Sequence, residues 1–251
     1  MRDVNLARLY FFVWIGALGF SFPFANLFFR QQGLSGTEIG LVLTAGSVAG
    51  LSASPLWGRW SDGGAPLTRL LQIAFVITSV GAFVQSQQTV FIWIALIHGA
   101  RGFVGAAISP LSDTLALRIS EARRAGYGSI RVWGSAGWAV SVLASGWVIE
   151  RAGLVASFYG NGIGYALAAL LLFFIPKTLH TAPTERARES GGLRRAAREL
   201  VINRALLGLA VALVVRGILA DGHLQFGNIY LEQLGASTAI IGIASMNARR
   251  A

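Results

Sequence analysis

The chain has 251 residues, 54% hydrophobic and only 13% charged, with a formal net charge of +10. Soluble domains carry about 25% charged residues, so this composition cannot cover a water-soluble globule and points to an all-α membrane protein that crosses the bilayer repeatedly. Nucleic acid is excluded as a partner because the basic residues sit between long apolar runs, and the absence of Cys excludes disulfides, thiolate metal clusters and thiol nucleophiles.

A hydrocarbon core about 30 Å thick needs about 20 apolar residues per helix. Leu9–Phe29 carries no charge and begins just after Arg8. It is too long for a leader core, no small-residue cleavage site follows, and further spans come after it, so it is expected to be the first transmembrane helix. The next apolar runs are Ile39–Trp57, Leu70–Val84, Val90–Ser112, Val132–Ile149 and Leu154–Ile175, and a seventh covers Ala205 to Tyr230. Backbone groups in lipid must be satisfied within the segment, which makes these runs helices. Barrel strands would be shorter and would alternate strictly.

With the N-terminus inside, the inner segments hold Arg2, Arg8, Arg59, Arg69, Arg118, Arg123, Arg124 and Arg131, whereas the outer loops hold Arg30 and Arg151. This asymmetry predicts a cytoplasmic N-terminus in a cell (inner) membrane. The stretch from Lys177 to Asn203 adds further cations. It separates an expected six-helix unit, residues 1–176, from the start of a second unit, residues 204–251, across an inter-unit loop, 177–203. Leu193, Ala197, Leu200 and Val201 share one helical face of that loop opposite Arg194, Arg195 and Arg198, a pattern that fits an interfacial helix and equally a solvated charged linker.

A shift of 202 positions aligns Phe24, Asn26, Gln31, Gly33, Ser35, Ile39 and Gly40 with Phe226, Asn228, Gln233, Gly235, Ser237, Ile241 and Gly242. Helices one and seven are therefore expected to be equivalent members of two parallel repeats. A full second repeat would need five more helices. The chain instead ends about a third of the way into an eighth span, with Arg249 and Arg250 at a depth where charge is costly. We expect this to mark a truncated second half.

Several motifs resemble the major facilitator superfamily, in particular its phenylpropionate-permease and nucleoside/proton-symporter-like branch. They are Pro23-Phe24, Gly33-Leu34-Ser35 with Ile39-Gly40, Pro55-Leu56-Trp57-Gly58, Pro110-Leu111-x-Asp113, and Tyr127-Gly128-x-Ile130-Arg131-x-Trp133-Gly134-Ser135-x-Gly137. The resemblance implies a bundle with a complete N-terminal six-helix half, helix seven and the beginning of helix eight, and transport by alternating access. It also implies a cytoplasmic signature loop at Gly58 and Asp62, although the basic position after the Asp is Gly63 and the next cation is Arg69. Arg101 and Gly105 match the family's fourth-helix pattern. The antiporter Gly-Pro pair is missing from Val132–Ile149, which implies symport or uniport.

Arg101 falls near the middle of the fourth span, where a guanidinium is expensive unless it faces a cavity or a counter-charge. His98 lies one turn away on the same face and can shuttle protons or simply hydrogen-bond a neighbour. Arg216, Asp221 and His223 interrupt the apolar seventh span. Arg216 and His223 share a face, while Asp221 is turned about 140° from Arg216. Such groups serve proton coupling or anion recognition, or they line a water cavity at the outer end. Asn26 and Asn228 are candidates for binding solute or for tying an outer loop. Asp113 and Arg131, expected at the inner ends of helices four and five, suggest a gate or a clamp.

The stripes Gly46-Gly50-Ser54, Gly137-Ser141-Ser145 and Gly160-Gly164-Ala168 suit close helix packing. His98, His180 and His223 have no metal-ligand spacing, and no cofactor or metal is expected. No Ser-His-Asp set, carboxylate pair or zinc motif supports a membrane enzyme. The expected function is secondary transport of a small organic solute, anionic or nucleoside-like, with H+ as co-substrate and the lipid bilayer as environment. The chain is expected to be inactive alone because truncated. The alternative is a non-transporting scaffold or regulatory half that pairs with another chain, and the oligomeric state is open.

Overall fold

The computed structural model describes residues 2–176 and 202–247, without the side chains of Asp62, of most positions from 210 to 226, and of 246 and 247. Every regular element among them is helical: α1 (Arg2–Ser21), α2 (Ala25–Gln31), α3 (Gly36–Asp62), α4 (Leu67–Gln85), α5 (Phe91–Gly105), α6 (Ile108–Arg123), α7 (Tyr127–Ala152), α8 (Val155–Leu171) with a 3-10 turn at Leu172–Phe174, α9 (Arg204–Gln233) and α10 (Thr238–Asn247). Among the described residues six segments are long and apolar enough to cross a membrane: Arg2–Gln31, Gly36–Ser61, Leu67–Gln85, Phe91–Arg123, Tyr127–Ala152 and Val155–Phe174. The protein is a multi-pass membrane protein. The expected seventh span corresponds to α9. Apart from Ile202 and Asn203, the expected interfacial helix in 177–203 lies outside the described residues.

These helices differ from the apolar runs in instructive ways. The first span is broken over Phe22–Phe24, because Pro23 has no N–H to continue the helical ladder. The fourth span does not end at Ser112. It breaks at Ala106–Ala107, directly after the turn that carries Arg101, and continues as α6 to Arg123. Asp113, expected at the inner end of the fourth span, therefore lies inside α6, and Asp62, expected in the loop after the second, is the last residue of α3. Likewise Pro55-Leu56-Trp57-Gly58 lies within α3 rather than at its end. Helices run past the hydrocarbon layer, so apolar length alone understates them.

Sequence chemistry sets the helix ends. Ser35 Oγ accepts from Glu38 N at 3.3 Å while Ser35 N donates to Glu38 Oε2 at 2.8 Å, a reciprocal capping box at the start of α3. Asn203 Oδ1 accepts from the amides of Ala205 and Leu206 at 3.1 and 3.3 Å and starts α9. The turn after α2 places Gly33 at φ +88° and the turn after α9 places Gly235 at φ +82°, the left-handed region that Gly enters without a Cβ penalty. Both turns carry the same backbone bonds, Gly33 N to Arg30 O and Gly235 N to Glu232 O, each at 2.9 Å.

α1 runs along α7 and α8, α3 along α5, α4 along α8 and α5, and α10 along α7. Small residues set these approaches. A Cβ on Gly137 would sit 2.8 Å from the Phe12 carbonyl carbon, and one on Gly102 would sit 2.8 Å from Gly46 Cα, so these backbones nearly touch, as expected where lipid gives no hydrophobic drive for association. The core between α1, α4, α6, α7 and α8 holds Tyr10, Phe11, Trp14, Phe75 and Tyr165. Tyr10 Oη shares a 2.6 Å hydrogen bond with Ser112 Oγ inside it. Leu51, Trp147 and Phe173 point outward, a surface that suits acyl chains better than water.

Candidate functional site

A cavity of about 440 Å³ lies among α1, α2, α3, α4, α5, α6 and α8. Trp14, Asn26, Gly46, Thr78, His98, Arg101, Phe158, Asn161 and Tyr165 are among its lining residues. Arg101 comes from the last turns of α5, just before the helix break that turns α6 away.

The guanidinium is held by two amides. Nη1 donates to Gln85 Oε1 and Nη2 donates to Asn161 Oδ1, both at 2.6 Å. Asn161 is itself fixed, since its Nδ2 donates to Ala17 O at 2.9 Å. The Gln85 amide nitrogen lies 3.3 Å from His98 Nδ1, so Gln85 spans the Arg and the His. Arg101 Cζ also stands 5.8 Å from the centroid of the Phe158 ring, within cation–π range.

Two glycines make room for these side chains. A Cβ on Gly81 would lie 2.7 Å from Arg101 Cγ, and one on Gly46 would lie 2.6 Å from His98 Cδ2. Neither Arg101 Nε nor Trp14 Nε1 has a hydrogen-bond partner among the described residues. Buried donors are nearly always paired; these two are shielded by the surrounding helices, the Arg101 Nε one on the side of Gly81. The ion pairs among the described residues are Arg123–Asp3 and Arg131–Asp113; neither involves Arg101.

Of the residues singled out from sequence, Asn26, His98 and Arg101 meet at this cavity. Asp113 and Arg131 do not line it. They pair elsewhere, with Arg131 Nε 3.6 Å from Asp113 Oδ1, Tyr127 Oη donating to the same oxygen at 3.0 Å, and Arg131 Cζ 5.7 Å from the Phe11 ring centroid. This ties α6 and α7 to α1. Gly58 lies in the last turns of α3 and also does not line the cavity. The side chains of Asp62, Arg216, Asp221 and His223 lie outside the described residues. Among the described residues no three His, Cys, Asp or Glu cluster as metal ligands would.

Sequence reasoning missed Gln85, Asn161 and Trp14. Asn161 carried a readable signal, an amide inside an apolar span. Gln85 and Gly81 carried a weaker one, being one turn apart at the end of the third run.

Comparison with known proteins agrees with this architecture. A family model described as "MFS_1 like family" matches residues 4–247. The chain is 30% identical over 239 residues to "Maltose permease" of Geobacillus stearothermophilus, an alignment covering 94% of this chain and 59% of that protein. It is 24% identical over 242 residues to "Probable 3-phenylpropionic acid transporter" of Escherichia coli (strain K12), covering 96% and 63%. The fold matches the crystal structure of the nucleoside transporter NupG (D323A mutant) with a TM-score of 0.81 at 18% identity, covering 97% of this chain and 63% of that one. The chain thus spans about three fifths of the length of these relatives.

Proposed function

This chain belongs to the MFS_1 like family, within the major facilitator superfamily, and from that premise we propose that it forms the solute cavity of a secondary active transporter working by alternating access. The observation that carries the reading is the Arg101 guanidinium on the cavity wall, hydrogen-bonded to two neutral amides and in no ion pair among the described residues. A cation held this way in low dielectric attracts an anion strongly. The substrate class is a small organic solute carrying a carboxylate or a comparable acceptor group. One relative is named for such an acid, whereas another is named for a sugar.

Proton symport is the proposed coupling. Asp221 or His223 on α9 is the proposed carrier and Arg216 a second attractor for solute, supported by the presence of titratable residues in an apolar span. Asn26 reads as a polar contact on the outer wall of the cavity and His98 as its neutral acceptor for Gln85. The Asp113–Arg131–Tyr127 group reads as a clamp on the inner side, and Gly58 and Asp62 as the signature residues at the end of α3. A cell-membrane location with a cytoplasmic N-terminus rests on the surplus of arginines in the inner segments.

Binding of radiolabelled monocarboxylates to the purified chain in lipid nanodiscs tests the reading. Arg101→Ala is expected to weaken binding by about 100-fold, as loss of a desolvated charged contact does. Unchanged affinity in that variant rules the reading out. In proteoliposomes we expect the 251-residue chain alone to bind solute without saturable uptake, because the permeases it resembles are longer; saturable uptake would contradict that part.

A further inference from the structure

We propose that Gln85 sets the charge class of the solute, because it orients the Arg101 guanidinium without cancelling its charge. The inference rests on Arg101 as the solute's anchor and names what tunes it. Gln85 is the last residue of α4 and is fully buried. Its Oε1 accepts from Arg101 Nη1 at 2.6 Å, a geometry that a glutamate would reproduce atom for atom while adding a negative charge.

A guanidinium has five N–H donors. Two of them donate to the amide oxygens of Gln85 and Asn161, neutral partners that leave the formal charge uncancelled. A carboxylate at position 85 would pair with that charge inside the wall, and an incoming anion would then meet a neutral pair and one more desolvated acid. The cavity would come to favour an uncharged molecule of the same shape.

Position 85 rather than 161 is where one substitution can do this. The Asn161 amide nitrogen serves the Ala17 carbonyl, and aspartate there would strand that backbone group. Among the described residues the Gln85 amide nitrogen has His98 Nδ1 as its partner, and a neutral imidazole can supply the missing proton by changing tautomer. Gln85 acts through Arg101, so it is a positioning residue.

The test uses the full chain in nanodiscs with two acid–amide pairs of matched shape, phenylacetate with phenylacetamide and glucuronate with glucuronamide, measured by calorimetric titration. The wild-type chain is expected to favour the acid of at least one pair by about tenfold or more. Gln85→Glu is expected to bring that ratio to about one or below while amide binding persists. Gln85→Leu, which removes the hydrogen bond but leaves the charge, is expected to weaken both ligands and keep the acid preference.

An unchanged ratio in Gln85→Glu, alongside loss of acid binding in Arg101→Ala, overturns the role of Gln85 and leaves Arg101 standing. Collapse of the ratio in Gln85→Leu also overturns it, by showing a merely structural part. If the wild-type chain has no acid preference for either pair, or if Arg101→Ala binds acid normally, the anchor reading itself fails. Should Gln85→Glu not remain monodisperse, affinity in Gln85→Leu decides: acid and amide weakened together with the preference kept support the role, and unchanged affinity for both overturns it.

Discussion

Arg101 reaches the cavity only because residue 81 has no side chain. The Arg101 stem crosses α4 at Gly81, where an added Cβ would approach Cγ to 2.7 Å and Cδ to 3.0 Å. The far end of the side chain cannot swing freely to compensate, being held by Gln85 and Asn161. Gly81→Ala is therefore expected to displace the guanidinium and weaken carboxylate binding by about tenfold with little loss of thermal stability, since a displacement of about 1 Å is enough to spoil a contact geometry. Calorimetric titration beside a thermal melt checks this, and full binding in the variant would show that the stem has another route. Arg101→Lys keeps the charge but loses the fork that meets two amides at once, so it is expected to retain acid preference at reduced affinity. The sequence displayed Arg101 and His98 as polar residues stranded in an apolar run, but not the neutral amides that hold them. Those partners come from α4 and α8, and no spacing along one chain segment reports which helix will lie across from another.

At the level of single helices, the close contacts are made by glycines and the bends by prolines and helix breaks. Gly137 faces the Phe12 backbone, and Gly16 lies against Ser141, so α1 and α7 are nearly in backbone contact. Gly137→Ala is expected to destabilise the bundle by about 1–3 kcal/mol, the usual penalty of overpacking a filled interface. Gly208, exposed on α9 with nothing within 4 Å of an added Cβ, is the matched control. Gly208→Ala is expected to leave stability unchanged or raise it by up to about 1 kcal/mol through helix propensity alone. Detergent melting curves of the two variants separate contact from propensity, and equal losses in both would refute the packing argument. The first six spans, those found among the described residues, were legible in order because lipid demands about 20 apolar residues from every crossing helix. The break at Ala106–Ala107 was not. Its local cause is Pro110, which has no N–H for the Ala106 carbonyl four residues back and crowds it, with Gly105 just before; the apolar run hides this because it continues to Ser112.

On the scale of the whole bundle, the 202-residue repeat joins what it duplicates. The helices after the two glycine turns begin at Gly36 and Thr238, the same offset as the aligned residues, and the two copies meet at one end of the molecule. Asn228 Nδ2 donates to Pro23 O at 2.7 Å, a carbonyl left open where the first span breaks. Asn228 Oδ1 accepts from Ser245 Oγ at 3.2 Å, and Thr238 Oγ1 donates to Gly146 O at 3.1 Å. With its amide oxygen turned toward α2, Gln233 accepts from both terminal nitrogens of Arg30 at 3.0 Å. Phe24, Leu27, Ile149 and Ile241 close over the same region as a small apolar cluster. The alternating access proposed above would require this end to part, and these bonds would resist that opening. Asn228→Leu keeps the branched shape but strands the Pro23 carbonyl, a loss of about 1–3 kcal/mol, enough to move an open–closed equilibrium by about tenfold or more. The chain has no native cysteine, so a single Leu27→Cys reporter, at a position 1% exposed, reads that equilibrium directly. Its rate of maleimide labelling is expected to rise several-fold when Asn228→Leu is added, and to stay unchanged when Thr44→Val, on the exposed side of α3, is added instead. Equal labelling with and without the Asn228 change would mean that the apolar cluster alone keeps this end shut and that the amide bridging the two repeats does not govern its opening.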